Sequence, residues 1–386
     1  MLQKAFTGGR NYWILLAVWS LLMFVGLLAY SQQLTEGLQI TGMTRDVTWG
    51  LYISQFTFLV GVAASAVMVV LPYYLHNYKA FGKLVILGEF LAVSAVLMCM
   101  LFIFVDMGQP TRVVNVMLHP SPNSLMFWDM MALMGYLILN AVIGFVTFDA
   151  ERKGAPSPKW IKPLIYLSIP WAVSIHTVTA FLYAGLEARP FWMTAILGPR
   201  FLASAFASGP SLLILLALML RKFTSFDPGK EAIQKLATIV VYAMVINVFF
   251  FGVELFTGLY SDMPHHVHHF QYMFLGLDGY GALRPWMWVG QVLTIGAVTL
   301  LLIPKIRRQE KYLAVLCVAV VAAIWIEKGL AMVVTGFIPS PLGKITEYSP
   351  TAPEIAITLG VYALGLFVLT VLYRIVLSVR EQVHVT

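Results

Sequence analysis

Charge is what this chain has least of. Only 11% of its 386 residues are Asp, Glu, Lys or Arg, against about 25% in an ordinary soluble domain, so a water-soluble globular class is excluded. Cysteine is nearly absent: Cys99 and Cys317 both fall inside apolar runs. Two isolated thiols exclude a disulfide framework and the four thiolates of an iron–sulfur cluster. Any metal-based electron carrier must therefore belong to a partner, and the two cysteines read as packing. No low-complexity segment and no secure internal repeat occurs; GEF at 88–90 and VEL at 253–255 are too short to make one. Helix breaks within the apolar runs are modest, at Pro170 and Gly209-Pro210.

What the chain does have is hydrophobic length. Apolar residues make up 60% of it, in recurring runs of roughly 20 residues, each enough to cross a bilayer core of about 30 Å as a helix. The runs predict an all-α integral membrane protein, a single polytopic domain over 1–386, with ten helices near 11–30, 51–75, 84–107, 125–148, 163–186, 201–220, 236–260, 285–302, 312–333 and 354–379. The run Asn11–Tyr30 follows a basic start, but it exceeds a signal-peptide core and no A-x-A site follows it, so a retained first helix is expected.

Alternate loops differ in cations. The N-terminal segment, 76–83, 149–162, 221–235, 303–311 and the tail from Arg374 hold 18 Lys and Arg, whereas 31–50, 108–124, 186–200, 261–284 and 334–353 hold 6. The positive-inside rule then puts both termini in the cytoplasm, in an inner membrane. The net charge of +7 is thereby a topology signal and not a nucleic-acid footprint. The cation-poor outer loops are also the longer ones; ITGMTRDVTWG, SDMPHHVHHFQYMFLGLDGYGALRPW and TGFIPSPLGKITEYSPTAPE are rich enough in Trp, Tyr and Pro to suggest a docking face.

Ionisable side chains inside a bilayer are costly and tend to mark substrate or proton routes. Here they are Glu89, Asp106, Asp129, His176, Glu254, Glu327 and Lys328. At about 1.5 Å per residue, His176 lies roughly 15 Å below the outer edge, Glu254, Glu327 and Lys328 about 9 Å, and Asp129 about 6 Å. Glu89 alone is near the cytoplasmic edge. His176, Ala180 and Tyr183 share a helix face that runs up to Arg189, and Asn247, Glu254 and Gly258 align on the seventh helix. Two such stripes could enclose a polar pocket in which a neutral imidazole bonds a quinone carbonyl and handles its proton. The plainer alternatives are a structural histidine and carboxylates that glue helices together. Glu327 and Lys328 are adjacent and project about 100° apart, so each needs a partner elsewhere. The tract HHVHH at 265–269 lacks accompanying Cys or carboxylate spacing, which disfavours metal. A single intramembrane histidine disfavours a haem-b anchor, and the same buried carboxylates leave a proton-coupled transporter as the main rival to a redox subunit.

FWDMM around Asp129, SIHTVTAF around His176, EARPFWMTA after it and GFIPSPLGKITEYSPTAPE together resemble the NrfD/PsrC superfamily of quinone-interacting membrane subunits, in its ten-helix branch. The segment ITGMTRDVTWGLYISQFTFLVGVAASAVMVVLPYYLHNYKAFGKLVILGEFLAV resembles more narrowly the DsrP branch, found in DsrMKJOP complexes of sulfur metabolism. The resemblance implies a menaquinone or other quinone site toward the outer face, no haem or cluster in this chain, and a periplasmic ferredoxin-like iron–sulfur partner of DsrO type. It also implies a multihaem cytochrome of DsrJ type, subunits of DsrM and DsrK type, and possible proton translocation. The family's pocket histidine and aspartate fall on His176 and Asp129. Tyr183, Arg189 and Glu254 join the expected quinone site from the face-and-depth argument, and Glu89, Asp106, Glu254, Glu327 and Lys328 form the expected proton path.

The topology is directly testable. Reporter fusions after Ala155, Ser225 and Arg307 should read cytoplasmic, and those after Ile40, Phe270 and Ile345 periplasmic; a single inverted reading breaks the ten-helix map.

Overall fold

The computed structural model describes residues 5–383; Lys4, one of the N-terminal cations, lies outside them. Ten helices in the described chain are long and apolar enough to cross a bilayer: α1 Arg10–Glu36, α2 Leu51–Leu75, α3 Lys79–Asp106, α4 Leu125–Arg152, α5 Ile161–Ala184, α6 Leu197–Phe223, α7 Lys230–Tyr260, α8 Arg284–Leu302, α9 Glu310–Thr335 and α10 Ala352–Arg380. All ten expected helices are present, but several overrun their expected ends. A helix does not have to stop where its apolar run stops: the Lys230–Lys235 turns at the foot of α7 are built from good helix formers. One overrun has consequences. Arg200, expected in an outer loop, lies inside α6 and is buried, which leaves the outer loops poorer still in cations.

Every residue of Leu51–Ala63 in α2 is buried, as expected of a central helix that is apolar all round. It packs against α3, α6 and the middle of α9. At the periphery α1 leans on α10. There a Cβ added to Gly26 would lie 2.6 Å from the Gly360 Cα, the close backbone approach that small residues allow between membrane helices. The opposite face of α1, with Leu21, Phe24 and Leu27, is exposed.

Two irregularities sit at the centre. In α2 a turn at residues 64–66 interrupts the helix, and Gly209 of α6 makes room for it, since a Cβ there would meet the Ser65 nitrogen at 3.0 Å. Gly209-Pro210 therefore accommodates a break in its neighbour while α6 continues. In α9, Trp325–Ala331 winds as a π-helix, a local widening common at functional sites. Gly329 within it abuts the Ser54 carbonyl of α2, at 3.0 Å from an added Cβ.

The cation-poor loops clasp one another around Glu354, at the start of α10. Its carboxylate accepts the backbone N–H groups of Gly42 at 3.0 Å and Leu51 at 3.1 Å, and the Tyr348 hydroxyl. Two of these partners lie roughly 300 residues away in sequence, so one side chain ties the entry to α2 to the entry to α10. Nearby, hydrogen bonds from Lys344 and Thr346 hold the Asp46 carboxyl below its usual range. Glu354→Ala should leave the part-buried Gly42 N–H and the Tyr348 hydroxyl without their acceptor, while the Leu51 N–H keeps the Tyr348 hydroxyl at 2.6 Å, and destabilise the protein by about 1–3 kcal/mol, read as a lower melting temperature in detergent. Glu354→Gln, which can still accept, should melt closer to wild type; equal melting of Glu354→Ala and wild type would show that the clasp contributes nothing.

Candidate functional site

Between α2, α3, α4 and the outer end of α5 lies an apolar cavity of about 280 Å³. Methionines such as Met100, Met130 and Met134 line it, and its polar groups are few: Asp129, Asp106, Tyr183 and the Trp49 indole. The Asp129 carboxyl is 2.6 Å from the Thr179 hydroxyl, which is also 2.7 Å from the Ile175 carbonyl. A hydroxyl has one proton to give. Either Thr179 donates to an Asp129 carboxylate, or it donates to Ile175 and accepts from an Asp129 carboxylic acid. The pair is thus a site where one added proton has a ready hydrogen bond. Tyr183 makes a similar link, 2.5 Å from the Thr57 hydroxyl, which reaches the Ile53 carbonyl at 2.7 Å. Asp106 Oδ1 is buried without a partner.

His176 is one helical turn inward of Thr179 on α5 and has 0% exposure. Neither ring nitrogen makes a hydrogen bond of full geometry, although buried polar atoms almost always do; the ring's one backbone partner is the looser contact to Ala172, a turn earlier on α5. His176 does not line the cavity. It lies within electrostatic reach of Lys328, and Cys99 lies within reach of both Asp129 and Lys328, so the four share one low-dielectric neighbourhood.

Lys328 leads to a second polar cluster. The Arg200 guanidinium of α6 donates to Glu254 of α7 and, at 2.7 Å, to Glu327 in the π-helical stretch of α9. Among the described residues Lys328 has no carboxylate partner: its Nζ is 3.4 Å from the Phe201 carbonyl and 4.1 Å from the centre of the Phe201 ring. The oxygen of Asn247 is buried and unpartnered. Arg200, Asn247, Glu327 and Lys328 border a void of about 10 Å³, near the size that admits one water.

The expected site residues are thus divided. Asp129 and Tyr183 line one cavity, and Asp106, expected on a proton path, joins them. Glu254 belongs to the Arg200 cluster and does not line that cavity. Arg189 stacks its guanidinium over the Phe337 ring at 4.3 Å, above Trp49 and Trp192, and is also off the lining. Glu327 and Lys328 do need separate partners, and Glu327 finds Arg200. Glu89 stands apart: both its oxygens are buried without partners, and an added Cβ at Gly144 would be 3.2 Å from one of them. In the HHVHH tract, now a short helix Pro264–Phe274, burial pushes His269 down to about 4, so a neutral ring meets the Ile338 carbonyl at 2.7 Å. Among the described residues no group of three or more His, Cys, Asp or Glu is placed to hold a metal. Arg200 and Thr179 were not anticipated. Only the position of Arg200, immediately before the apolar run from Phe201, hinted at it.

Ten membrane-length helices enclosing an apolar cavity with a buried carboxyl on its wall define a polytopic helical membrane protein with an internal apolar cavity. The sequence comparison gives the family: residues 39–339 match the one described as "Polysulphide reductase, NrfD", and the chain belongs to it. It is similar to a putative dimethyl sulfoxide reductase membrane subunit of Halobacterium salinarum, at 29% identity over 93% of this chain and 89% of that protein. A selenate reductase subunit of Mesobacillus selenatarsenatis is 25% identical over 96% of this chain and 95% of the relative. The Hdr-like menaquinol oxidoreductase integral membrane subunit of Archaeoglobus fulgidus is 21% identical over 68% and 65% respectively.

The Arg200 cluster makes its own prediction. Arg200→Leu leaves two carboxylates buried and unpaired, at a cost of about 3–5 kcal/mol, and should melt well below wild type. Arg200→Lys, which keeps the charge but lacks the fork that reaches both acids, should fall between. A melting curve for Arg200→Leu that overlays wild type would remove the cluster's structural role.

Proposed function

We propose that this chain is the quinone-reactive membrane subunit of a respiratory or sulfur-metabolism redox complex, and that menaquinone or a related quinone binds in the cavity between α2, α3, α4 and α5. The single observation that carries the reading is the Asp129–Thr179 pair on the wall of that cavity, one helical turn from the buried His176. The fit is chemical: a quinone is a flat apolar ring with two carbonyl acceptors, and the cavity offers an apolar methionine wall with few polar groups. Bound quinone would supply two-electron, two-proton chemistry. Asp129 holds or releases a proton through Thr179, His176 donates or accepts one with either ring nitrogen, and Tyr183 and Trp49 close the outer end against water. Supporting this reading, relatives along nearly the full length are named as reductase subunits, and a more distant one as a menaquinol oxidoreductase subunit.

Electrons would pass to or from a ferredoxin-like iron–sulfur subunit of DsrO type on the outer face, with DsrJ-, DsrM- and DsrK-type subunits completing a DsrP-type assembly. Proton movement would use Asp106, then Lys328, Glu327 and Glu254, with Glu89 toward the cytoplasmic side. A transporter reading rests on these same acids, whereas the apolar cavity favours the redox subunit.

Quinol-analogue turnover per assembled complex, measured beside a melting curve of the same sample, tests the site. His176→Leu should assemble and lose turnover by about 100-fold or more, and Asp129→Asn, which keeps shape while removing the titratable group, should lose turnover on a similar scale. Normal turnover in both variants would dismiss the cavity as the quinone site and leave the buried polar residues as helix glue.

A further inference from the structure

On the cation-rich face, a polar cleft of about 440 Å³ opens between the foot of α7 and the turn joining α8 to α9. Lys230, Arg307 and Arg308 line it, together with Gln234 and Thr238 of α7. None of the three cations has a carboxylate partner among the described residues. The one acid on the cleft wall, Glu310, is already taken at both oxygens by the Arg221 guanidinium. Gln234 donates toward the carbonyls of Arg307 and Arg308 at 3.4 Å each, which fixes the turn that carries two of the cations against the helix that carries the third. The cleft therefore presents three positive charges in a held arrangement, Arg307 being anchored by one donor to the Leu301 carbonyl at 2.9 Å, with no free carboxylate among the described residues to neutralise them.

The surface above the cleft says what kind of anion it suits. Along α7 the face that carries Lys230, Gln234 and Thr238 continues at helical spacing into Tyr242, Ile246 and Phe249, which are 67%, 46% and 64% exposed. Leu302 and Ile303 at the end of α8 are exposed as well. Charge at the membrane edge is thus joined to an unbroken apolar strip running into the bilayer. A free phosphate would use only the first of these features; an anionic phospholipid uses both.

We propose that this cleft is a binding site for an anionic phospholipid, with the headgroup phosphate held by Lys230, Arg307 and Arg308 and the acyl chains laid along the Tyr242–Phe249 face. Basic pockets between helices at the membrane surface have this chemistry. The site lies at the opposite end of the bundle from the quinone cavity and depends only on the helices crossing the bilayer.

The test is native mass spectrometry of the full chain in mild detergent, titrated with phosphatidylglycerol, with phosphatidylcholine of the same acyl chains, and with glycerol phosphate alone. Wild type should retain one phosphatidylglycerol in preference to phosphatidylcholine. Lys230→Gln combined with Arg308→Gln should weaken that binding by about 30-fold, roughly fivefold per cation removed, with binding of phosphatidylcholine unaltered. Lys222→Gln, an exposed cation on the same side but off the cleft, should change nothing. The proposal is overturned if the double variant binds phosphatidylglycerol like wild type, or if Lys222→Gln weakens binding equally, which would make the effect one of diffuse charge. It is also overturned if glycerol phosphate binds as tightly as the lipid, which would make this a phosphate site. All side chains changed are on the surface, and matching melting curves verify that the variants are folded.

Discussion

A guanidinium cannot remain unpaired in the interior of a membrane protein, and the neutralisation of Arg200 organises the centre of this one. Its two acids come from different helices, Glu254 on α7 and Glu327 on α9, so a single side chain fixes the mutual rotation of three spans. The π-helical stretch in α9 is the backbone feature on which Glu327 and Lys328 are both carried. Gly329 lets that stretch press against the buried helix α2, which in turn forms a wall of the apolar cavity. Displacing the arginine would disturb the cavity through this chain of contacts although Arg200 never touches it.

The buried polar groups fall into two kinds. Arg200, Glu254, Glu327, Glu354 and His269 have protein partners, and they account for how helices and loops hold together. His176, Glu89, Asp106 and Asn247 keep buried atoms with no partner. Stability alone gives no reason to bury them so. A bound molecule, a water or a moving proton would supply the missing hydrogen bonds.

The outer ends of the helices are less regular but no less constrained. Glu354 and Tyr348 lock the entry of α2, and Trp49, Tyr183, Trp192 and Phe337 meet edge-on and stacked above the cavity. Two members of this aromatic layer, Trp49 and Tyr183, line the same cavity as Asp129. The cation-rich face is built differently, with an open cleft lined by Lys230, Arg307 and Arg308.

The sequence by itself determined the number of spans and their approximate limits. Those properties are one-dimensional: hydropathy and a fixed rise per residue place a side chain along the membrane normal without any knowledge of its neighbours. It also marked His176, Asp129, Glu327 and Lys328 as anomalous, because charge in an apolar run is visible without a fold. Only the tertiary structure decided which of them meet. Glu254 and His176 lie at compatible depths on stripes that could have faced each other, yet Glu254 turns to Arg200, a residue that hydropathy assigned to a loop. Asp106 turns out to share a cavity wall with Asp129. The rotation of each helix about its own axis and the identity of its neighbour are set by packing contacts between residues far apart in the chain, such as Gly209 against Ser65 and Gly329 against Ser54, and no local pattern encodes them.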